Sequence, residues 1–358
     1  MEMNIQRIDD DARRVMRDIA RQRQDSARLR DALAATGATL SQQNRTTAAD
    51  EGAPTTEQRM LRTIAAELSR LSLPESQQET QSVLPDATAL DLEIIAHDIE
   101  TGSASALSDA QVVRIVKAAV AQNRIDLFTQ PIVTLPQRKA RFVEALARIR
   151  IRPGLHMPAE RYIGVARAQN LLPVIDNLLL LESLKALRAA SESDAGLAYF
   201  CNITSLTLHD PKFMTDLVEF IAQNRVLAQR LVFELTQHDL ATMSHDVVPV
   251  LSGLARLGCR FSLDQVSDLA LQPAELSARH IRFIKIDAGV LIAALRKPGG
   301  AQRLQRLRAS LDREGIDMIA ARIEKDRQLV ELLDLGIDYG QGYLFGHPHL
   351  HFAESEAQ

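Results

Sequence analysis

Glu144, Asn202, Glu234, Asp264 and Lys285 each interrupt a short apolar run. The runs read Phe-Val-Glu-Ala-Leu, Tyr-Phe-Cys-Asn-Ile, Leu-Val-Phe-Glu-Leu, Phe-Ser-Leu-Asp and Phe-Ile-Lys-Ile-Asp, the last of which ends on Asp287. An ionised group in such a run is costly to bury unless it is paired or bound to a cation. Taken singly, each residue reads as a surface or edge position. Their recurrence in consecutive runs points instead to one shared site. Three carboxylates and an amide gathered together make an oxygen-rich cluster of the kind that suits Mg²⁺ or Mn²⁺.

The elements that must position these groups are short strands separated by amphipathic helices. Candidate strands are Leu127–Val133, Arg141–Ala147, Leu197–Ile203, Leu231–Leu235, Arg260–Leu263, Ile281–Ile286, Met318–Ala320 and a last run near Asp338–Tyr339. Helical patterns fill most gaps, for example Pro158–Gln169, Ile175–Ala189, Lys212–Asn224, Asp246–Leu257, Gly300–Glu314 and Asp326–Leu335. Alternation of this kind predicts an α/β fold with a mostly parallel sheet. The number of strands favours a closed (β/α)₈ TIM-like barrel over an open sheet. Only Leu135–Lys139 separates the first two strands, too little for a parallel crossover, so the first strand is expected to be antiparallel. In such a barrel the C-terminal strand ends converge on one mouth, where active sites lie.

Composition sets the remaining bounds. The chain has 358 residues, is 46% apolar and carries a formal net charge of −4, which gives no electrostatic reason to expect nucleic acid. Cys201 and Cys259 lie in strand-like runs and read as buried, reduced thiols in a cytoplasmic protein. No signal-peptide pattern and no apolar run of membrane-spanning length is seen. Recruitment to a membrane or a cell pole stays open.

The first segment has a heptad seam through Ile5, Ile8, Ala12, Val15, Ile19, Leu29, Leu33 and Leu40, weakened at Gln22 and Ser26. A narrow seam suits a partner helix. A second, shorter seam runs through Leu61, Ile64, Leu68 and Leu71 and stops before Pro74. The expected organisation is an N-terminal coiled-coil dimerisation segment over 1–73, a linker over 74–87, the barrel over 88–352 and a tail over 353–358. His347, His349 and His351 alternate near the end and read as a solvated stretch rather than a metal site.

The order of motifs resembles the EAL family, which contains cyclic di-GMP phosphodiesterases and their inactive receptor relatives. The residues that carry the likeness are Gln130-Pro131-Ile132-Val133, Glu144-Ala145-Leu146 with Arg148, Asn202, Glu234-Leu235-Thr236, Lys285-Ile286-Asp287 and Gln341-Gly342-Tyr343-Leu344-Phe345-Gly346 with Pro348. The likeness spans about residues 105 to 350. It implies Glu144, Asn202, Glu234 and Asp264 as metal ligands, and Lys285 as the group that orients or deprotonates an attacking water. It also implies contacts to the dinucleotide from Gln130, Leu146, Arg148, Pro158, Asn202, Asp287, Gln341, Gly342, Tyr343 and Pro348. Arg148 makes independent sense, because a guanidinium fork matches phosphate oxygens.

The chain departs from the family pattern at three carboxylates. Where the family has Asp-Asp-Phe-Gly-Thr-Gly, this sequence reads Asp264-Gln265-Val266-Ser267-Asp268-Leu269. Gln237 stands where a glutamate anchors the following loop, and Ala321 where Ala-Glu-Gly-Val-Glu has its first glutamate. Two-ion hydrolysis needs both ions to stabilise developing charge, so these losses imply binding without turnover. The expected function is a cyclic di-GMP receptor that acts through an unidentified protein partner, with Mg²⁺ or Mn²⁺ accommodated but not required, and with the loop after Asp264 ordered by ligand. An active phosphodiesterase and a scaffold that no longer binds nucleotide are the alternatives. A coiled coil joined to a degenerate barrel also resembles the TipF-type polar flagellum assembly proteins of alphaproteobacteria.

Overall fold

The computed structural model describes residues 55–70, 108–122, 124–189 and 196–351. The seam from Ile5 to Leu40, the 74–87 linker, the helical pattern Ala89–Thr101 and the 353–358 tail lie outside the described residues. Thr55–Met243 and Val250–Gln358 belong to one compact unit, and Ser244–Pro249, with a 3-10 turn at His245–Val247, belong to another.

The sheet contains β1 (Ile125–Thr134), β2 (Ala140–Arg152), β3 (Leu155–Met157), β4 (Ala198–Asn202), β5 (Leu231–Thr236), β6 (Arg260–Val266), β7 (Ile281–Asp287), β8 (Asp317–Ala321), β9 (Tyr339–Gln341) and β10 (His349–Leu350). Neighbours run β1-β9-β8-β7-β6-β5-β4-β2, and the β1–β2 pairing closes the ring. The result is the expected eight-stranded barrel. β1 is antiparallel to both β2 and β9, and the strands from β2 round to β9 are parallel. β3 and β10, which the apolar patterning did not mark, pair with the exposed edges of β2 and β1.

Side chains alternate across a strand, so residues two apart share a face. The barrel interior is filled by Ile132, Phe142, Ala198, Phe200, Val232, Phe283 and Ile319, with Tyr339 packed against them. Phe142, Phe200 and Phe283 meet in tilted or edge-on pairs with ring centroids 5.1–5.4 Å apart. One step towards the mouth on the same faces stand Glu144, Asn202, Glu234, Lys285 and Gln341, with Gln130 on antiparallel β1 and Asp264 two residues after buried Ser262. The apolar layer is thus a floor, and the polar residues at the strand ends form the layer above it. On β8 the corresponding residue is Ala321.

The helix Thr56–Arg70 belongs to the barrel unit and packs on the helices Pro211–Gln223 and Leu172–Ala189. Met60 and Ile64 are buried there, and Arg59 bridges Asp216 at 3.1 Å and Glu219 at 2.7 Å. Leu61 faces solvent at 39% exposure. The second seam is therefore divided: Ile64 is covered by the barrel and Leu61 is not. Among the described residues no helix is long and apolar enough to cross a membrane.

Candidate functional site

Register brings the polar strand ends together. Gln130 faces Glu144 across β1–β2, Asn202 faces Glu234 across β4–β5, and Thr236 faces Asp264 across β5–β6. Lys285, 3% exposed, projects from β7 into their midst, its ammonium 5.7 Å from the Phe200 ring. Its Nζ lies 3.0 Å from Glu144 Oε2 and 2.9 Å from each oxygen of Glu234. Burial works against the ammonium, but Glu144, Glu234 and Asp264 outweigh it and hold Lys285 charged, above its usual range.

The carboxylates respond differently. Burial pushes Glu234 well above the usual carboxylate range despite Lys285, and burial likewise raises Asp264. At Glu144 burial is overcome by Lys285 and by a hydrogen bond donated by Gln341, so its carboxyl is held below the ordinary range. Gln341 Nε2 donates to Glu144 Oε2 at 2.5 Å and to Gln130 Oε1 at 3.2 Å, and Gln130 Nε2 donates to the Gly346 carbonyl at 3.1 Å. These contacts form a chain of amides from the buried carboxylate to the loop at the rim.

The ligand-contact candidates on β2 occupy one face in sequence: Glu144, then Leu146 opposite Phe128, then Arg148 opposite Asp126. Arg148 is half-buried, lies 5.9 Å from the Phe128 ring centroid, and spends one donor on the Ala147 carbonyl at 2.9 Å. Its guanidinium also lies against the Tyr162 hydroxyl at the rim. Tyr162 Oη also donates to the Ala147 carbonyl, at 2.8 Å. Asp126, Phe128 and His156 adjoin this stripe: His156 Nε2 is 2.7 Å from Asp126 Oδ2, and its ring meets Phe128 edge-on at 4.9 Å. Sequence reasoning missed this trio. The apolar/polar alternation Asp126–Phe128–Gln130 on β1 was the signal that could have found it.

The other candidates sit around the mouth. Asn202 ends β4, half-buried. Asp287 ends β7 and caps the helix Ala288–Leu295 by accepting from Gly289 N at 2.6 Å. Pro158 is exposed at the N-cap of the helix Ala159–Ala168. Gly342 has φ 148°, and a Cβ there would lie 2.2 Å from the Ile323 carbonyl oxygen, so only glycine permits this approach. Tyr343 is 51% exposed and stacks on His347 at 4.2 Å, beside half-buried Pro348. His347 and His349 are exposed, as a solvated stretch would have them, yet the run is tied to β1: His349 lies in β10 and its Nε2 is 3.3 Å from Thr129 Oγ1, while His351 N donates to the Leu127 carbonyl.

Glu144, Asn202, Glu234 and Asp264 stand on adjoining strands, yet among the described residues no three of His, Cys, Asp and Glu gather closely enough to hold a metal ion. Lys285 stands between Glu144 and Glu234. Glu234 Oε1 is a buried oxygen without a hydrogen bond, but the Lys285 ammonium already lies 2.9 Å from it. The residues as arranged fit a buried lysine with its carboxylates, not a preassembled ion cage. Two further departures have visible consequences. Gln265 adopts a left-handed backbone at φ 52°, and Gln237 grips the loop after β6, accepting from Ser267 N at 3.0 Å and Asp268 N at 3.1 Å. Cys201 and Cys259 are buried free thiols, pushed by burial up to about 12, and are inert.

Comparisons with known proteins agree with this geometry. The EAL domain family matches residues 113–348. The cyclic di-GMP phosphodiesterase NbdA of Pseudomonas aeruginosa is 22% identical over 244 residues, covering 68% of this chain and 31% of that protein. The signaling protein YkoW of Bacillus subtilis is 24% identical over 234 residues, covering 65% and 29%. The chain thus spans less than a third of the length of these relatives. Among solved structures, the EAL domain of Xanthomonas citri FimX in complex with cyclic di-GMP superposes with a TM-score of 0.59 at 19% identity, covering 69% of this chain and 96% of that one. The Pseudomonas aeruginosa FimX EAL domain bound to cyclic di-GMP gives 0.55 at 25% identity, covering 66% and 96%. With the barrel, the strand-end residues and the match over most of the chain in agreement, this protein belongs to the EAL domain family.

Proposed function

We propose that this chain is a receptor that binds cyclic di-GMP without hydrolysing it. The observation that carries the reading is the state of the mouth: Lys285 is held between Glu144 and Glu234, and the strand end that registers with Asp287 carries Ala321. Hydrolysis of a phosphodiester at useful rates needs charge stabilisation beyond one buried ammonium. Recognition needs less. Arg148 offers a phosphate fork at the rim, Gln130 and Gln341 are fixed in one hydrogen-bonded chain, and Phe128 with Leu146 gives an apolar wall for a base. The FimX EAL domains solved with cyclic di-GMP support the same ligand class. In this reading Gln130, Leu146, Arg148, Pro158, Asn202, Asp287, Gln341, Gly342, Tyr343 and Pro348 face the ligand, Mg²⁺ or Mn²⁺ is not required, and Lys285 is a structural cation.

A working phosphodiesterase is the second reading, favoured by the unbonded, buried Glu234 Oε1, which would welcome a cation if Lys285 withdrew. Calorimetric titration with cyclic di-GMP, in EDTA and again with Mg²⁺, followed by chromatography of the ligand, separates the two. The receptor reading predicts binding in both buffers and intact ligand. Metal-dependent appearance of linear dinucleotide supports the enzyme. Signalling through a protein partner, and self-association through the apolar seam of the first 40 residues, complete the proposal. Light scattering that shows a concentration-independent monomer contradicts the self-association.

A further inference from the structure

Only a few non-glycine residues among those described adopt a left-handed backbone, and Arg322 is one of them, at φ 57°. A side-chain-bearing residue rarely adopts this conformation unless its surroundings impose it. The surroundings here are explicit. Ile323 N donates to the Gln341 carbonyl at 2.9 Å, Leu344 N donates to the Ile323 carbonyl at 3.0 Å, and Gly342 lets the two segments meet. Arg322 follows directly on Ala321, the last residue of β8, so its side chain leaves the backbone at the barrel mouth. Its Nη1 lies 3.4 Å from Asp287 Oδ2, and its side chain is 79% exposed.

The charge around it gives this placement a purpose. Glu144, Glu234, Asp264 and Asp287 stand on the strands around the mouth, and the buried Lys285 ammonium is already shared by the first two. A ligand carrying two phosphodiester charges meets carboxylates there unless an accessible cation offsets them. Lys285 cannot serve, being 3% exposed. Resting on the cyclic di-GMP reading, we propose that Arg322 is a ligand-contacting residue that exchanges Asp287 for a phosphate oxygen of the bound dinucleotide. An exposed ion pair is worth little, so the exchange is cheap, and a guanidinium fork matches a phosphate better than the single 3.4 Å contact it gives up. Ala321 assists by removing a carboxylate from the adjacent position.

The test is titration of the full chain with cyclic di-GMP in EDTA at low and high salt, using wild type, Arg322→Gly and Arg322→Lys. Glycine accepts the left-handed backbone, so Arg322→Gly should melt no lower than wild type, and any loss of affinity is then not a loss of fold. The expected result is about 10-fold weaker binding for Arg322→Gly, an intermediate value for Arg322→Lys, and a shallower salt dependence for the glycine variant. Equal affinity and equal salt dependence for wild type and Arg322→Gly overturn the inference while leaving the receptor reading intact. A wild type that does not bind the dinucleotide overturns both.

Discussion

Gln237 and Asp268 are tied in both directions: the Gln237 side-chain amide donates to the Asp268 carbonyl at 2.9 Å and accepts from the Asp268 amide at 3.1 Å. With the 3.0 Å bond from Ser267 N, the amide satisfies three backbone groups of the loop after β6. A glutamate could accept the two N–H groups but would repel the Asp268 carbonyl. The substitution that resemblance to the family marks as the loss of an anchor is therefore an anchor that holds without charge.

These bonds are made within the chain and need no ligand, so they favour a loop held beforehand over one ordered by ligand. Hydrogen exchange at Ser267 and Asp268 should already be slow in the free protein and change little on adding cyclic di-GMP. Gln237→Ala should speed it about 10-fold, the scale of one or two lost hydrogen bonds. Strong slowing in the wild type on ligand addition would contradict this.

Lys285 should be a stability residue. Replacing it with Met leaves Glu144 and Glu234 buried together without their cation, a loss of about 3–5 kcal/mol in urea unfolding at neutral pH. Protonation of the stranded carboxylates relieves that cost, so the deficit should shrink as pH falls. Adding Glu144→Gln and Glu234→Gln to the Met variant should recover much of the loss at pH 7. A Lys285→Met protein as stable as wild type would show that the lysine does not hold these carboxylates.

Asp176, on the helix Leu172–Ala189, is pushed up to about 7 by burial, with Asp239 adding to the shift against Arg167. The folded state therefore holds this proton more tightly than the unfolded chain, whose carboxyl titrates near 3.8. Between those values the folded state binds more protons, so this group lowers stability as pH rises, and the loss is complete above about pH 7. Asp176→Asn should match wild type near pH 4 and exceed it by roughly 1–4 kcal/mol at pH 8, the upper end requiring the full rise from 3.8 to about 7. The same stability difference at both pH values would contradict the assignment.

The helix Thr56–Arg70 should act as part of the barrel. Met60→Ala removes a fully buried side chain and should cost about 2–4 kcal/mol, a fall of roughly 5–15 °C in Tm. Leu61→Ala, on the same helix but at an exposed position, should have little effect on the fold. Equal effects of the two changes would place the barrel contact elsewhere.

Much of the barrel is legible in the sequence because several strands carry an apolar residue two places before a polar one: Phe142 before Glu144, Phe200 before Asn202, Phe283 before Lys285. That pattern also locates the layer of the site. It fails where the partner, not the strand, makes the structure. β3 and β10 exist because the ends of β2 and β1 offer unpaired edges, and neither run has a pattern of its own. The helix Ala288–Leu295 is apolar all round, so no periodicity marks it, although Asp287 is a recognisable cap. The His156–Asp126 contact joins distant residues, the left-handed backbone at Arg322 is imposed by its neighbours, and a glutamine that replaces a glutamate looks like a loss until its hydrogen bonds are seen.

The central claim is that this mouth retains the dinucleotide and does not cut it. The most direct measurement incubates the protein for several hours with a slight excess of cyclic di-GMP and Mg²⁺ or Mn²⁺. Protein-bound ligand is then separated by rapid desalting and identified by chromatography. The account predicts intact cyclic di-GMP co-eluting with the protein, and much less of it with Arg148→Ala, whose lost fork should weaken binding by about 1.5–3 kcal/mol. Linear dinucleotide formed at about 0.1 s⁻¹ or faster, within reach of the usual enzyme range, would contradict it, as would a wild type that retains no ligand.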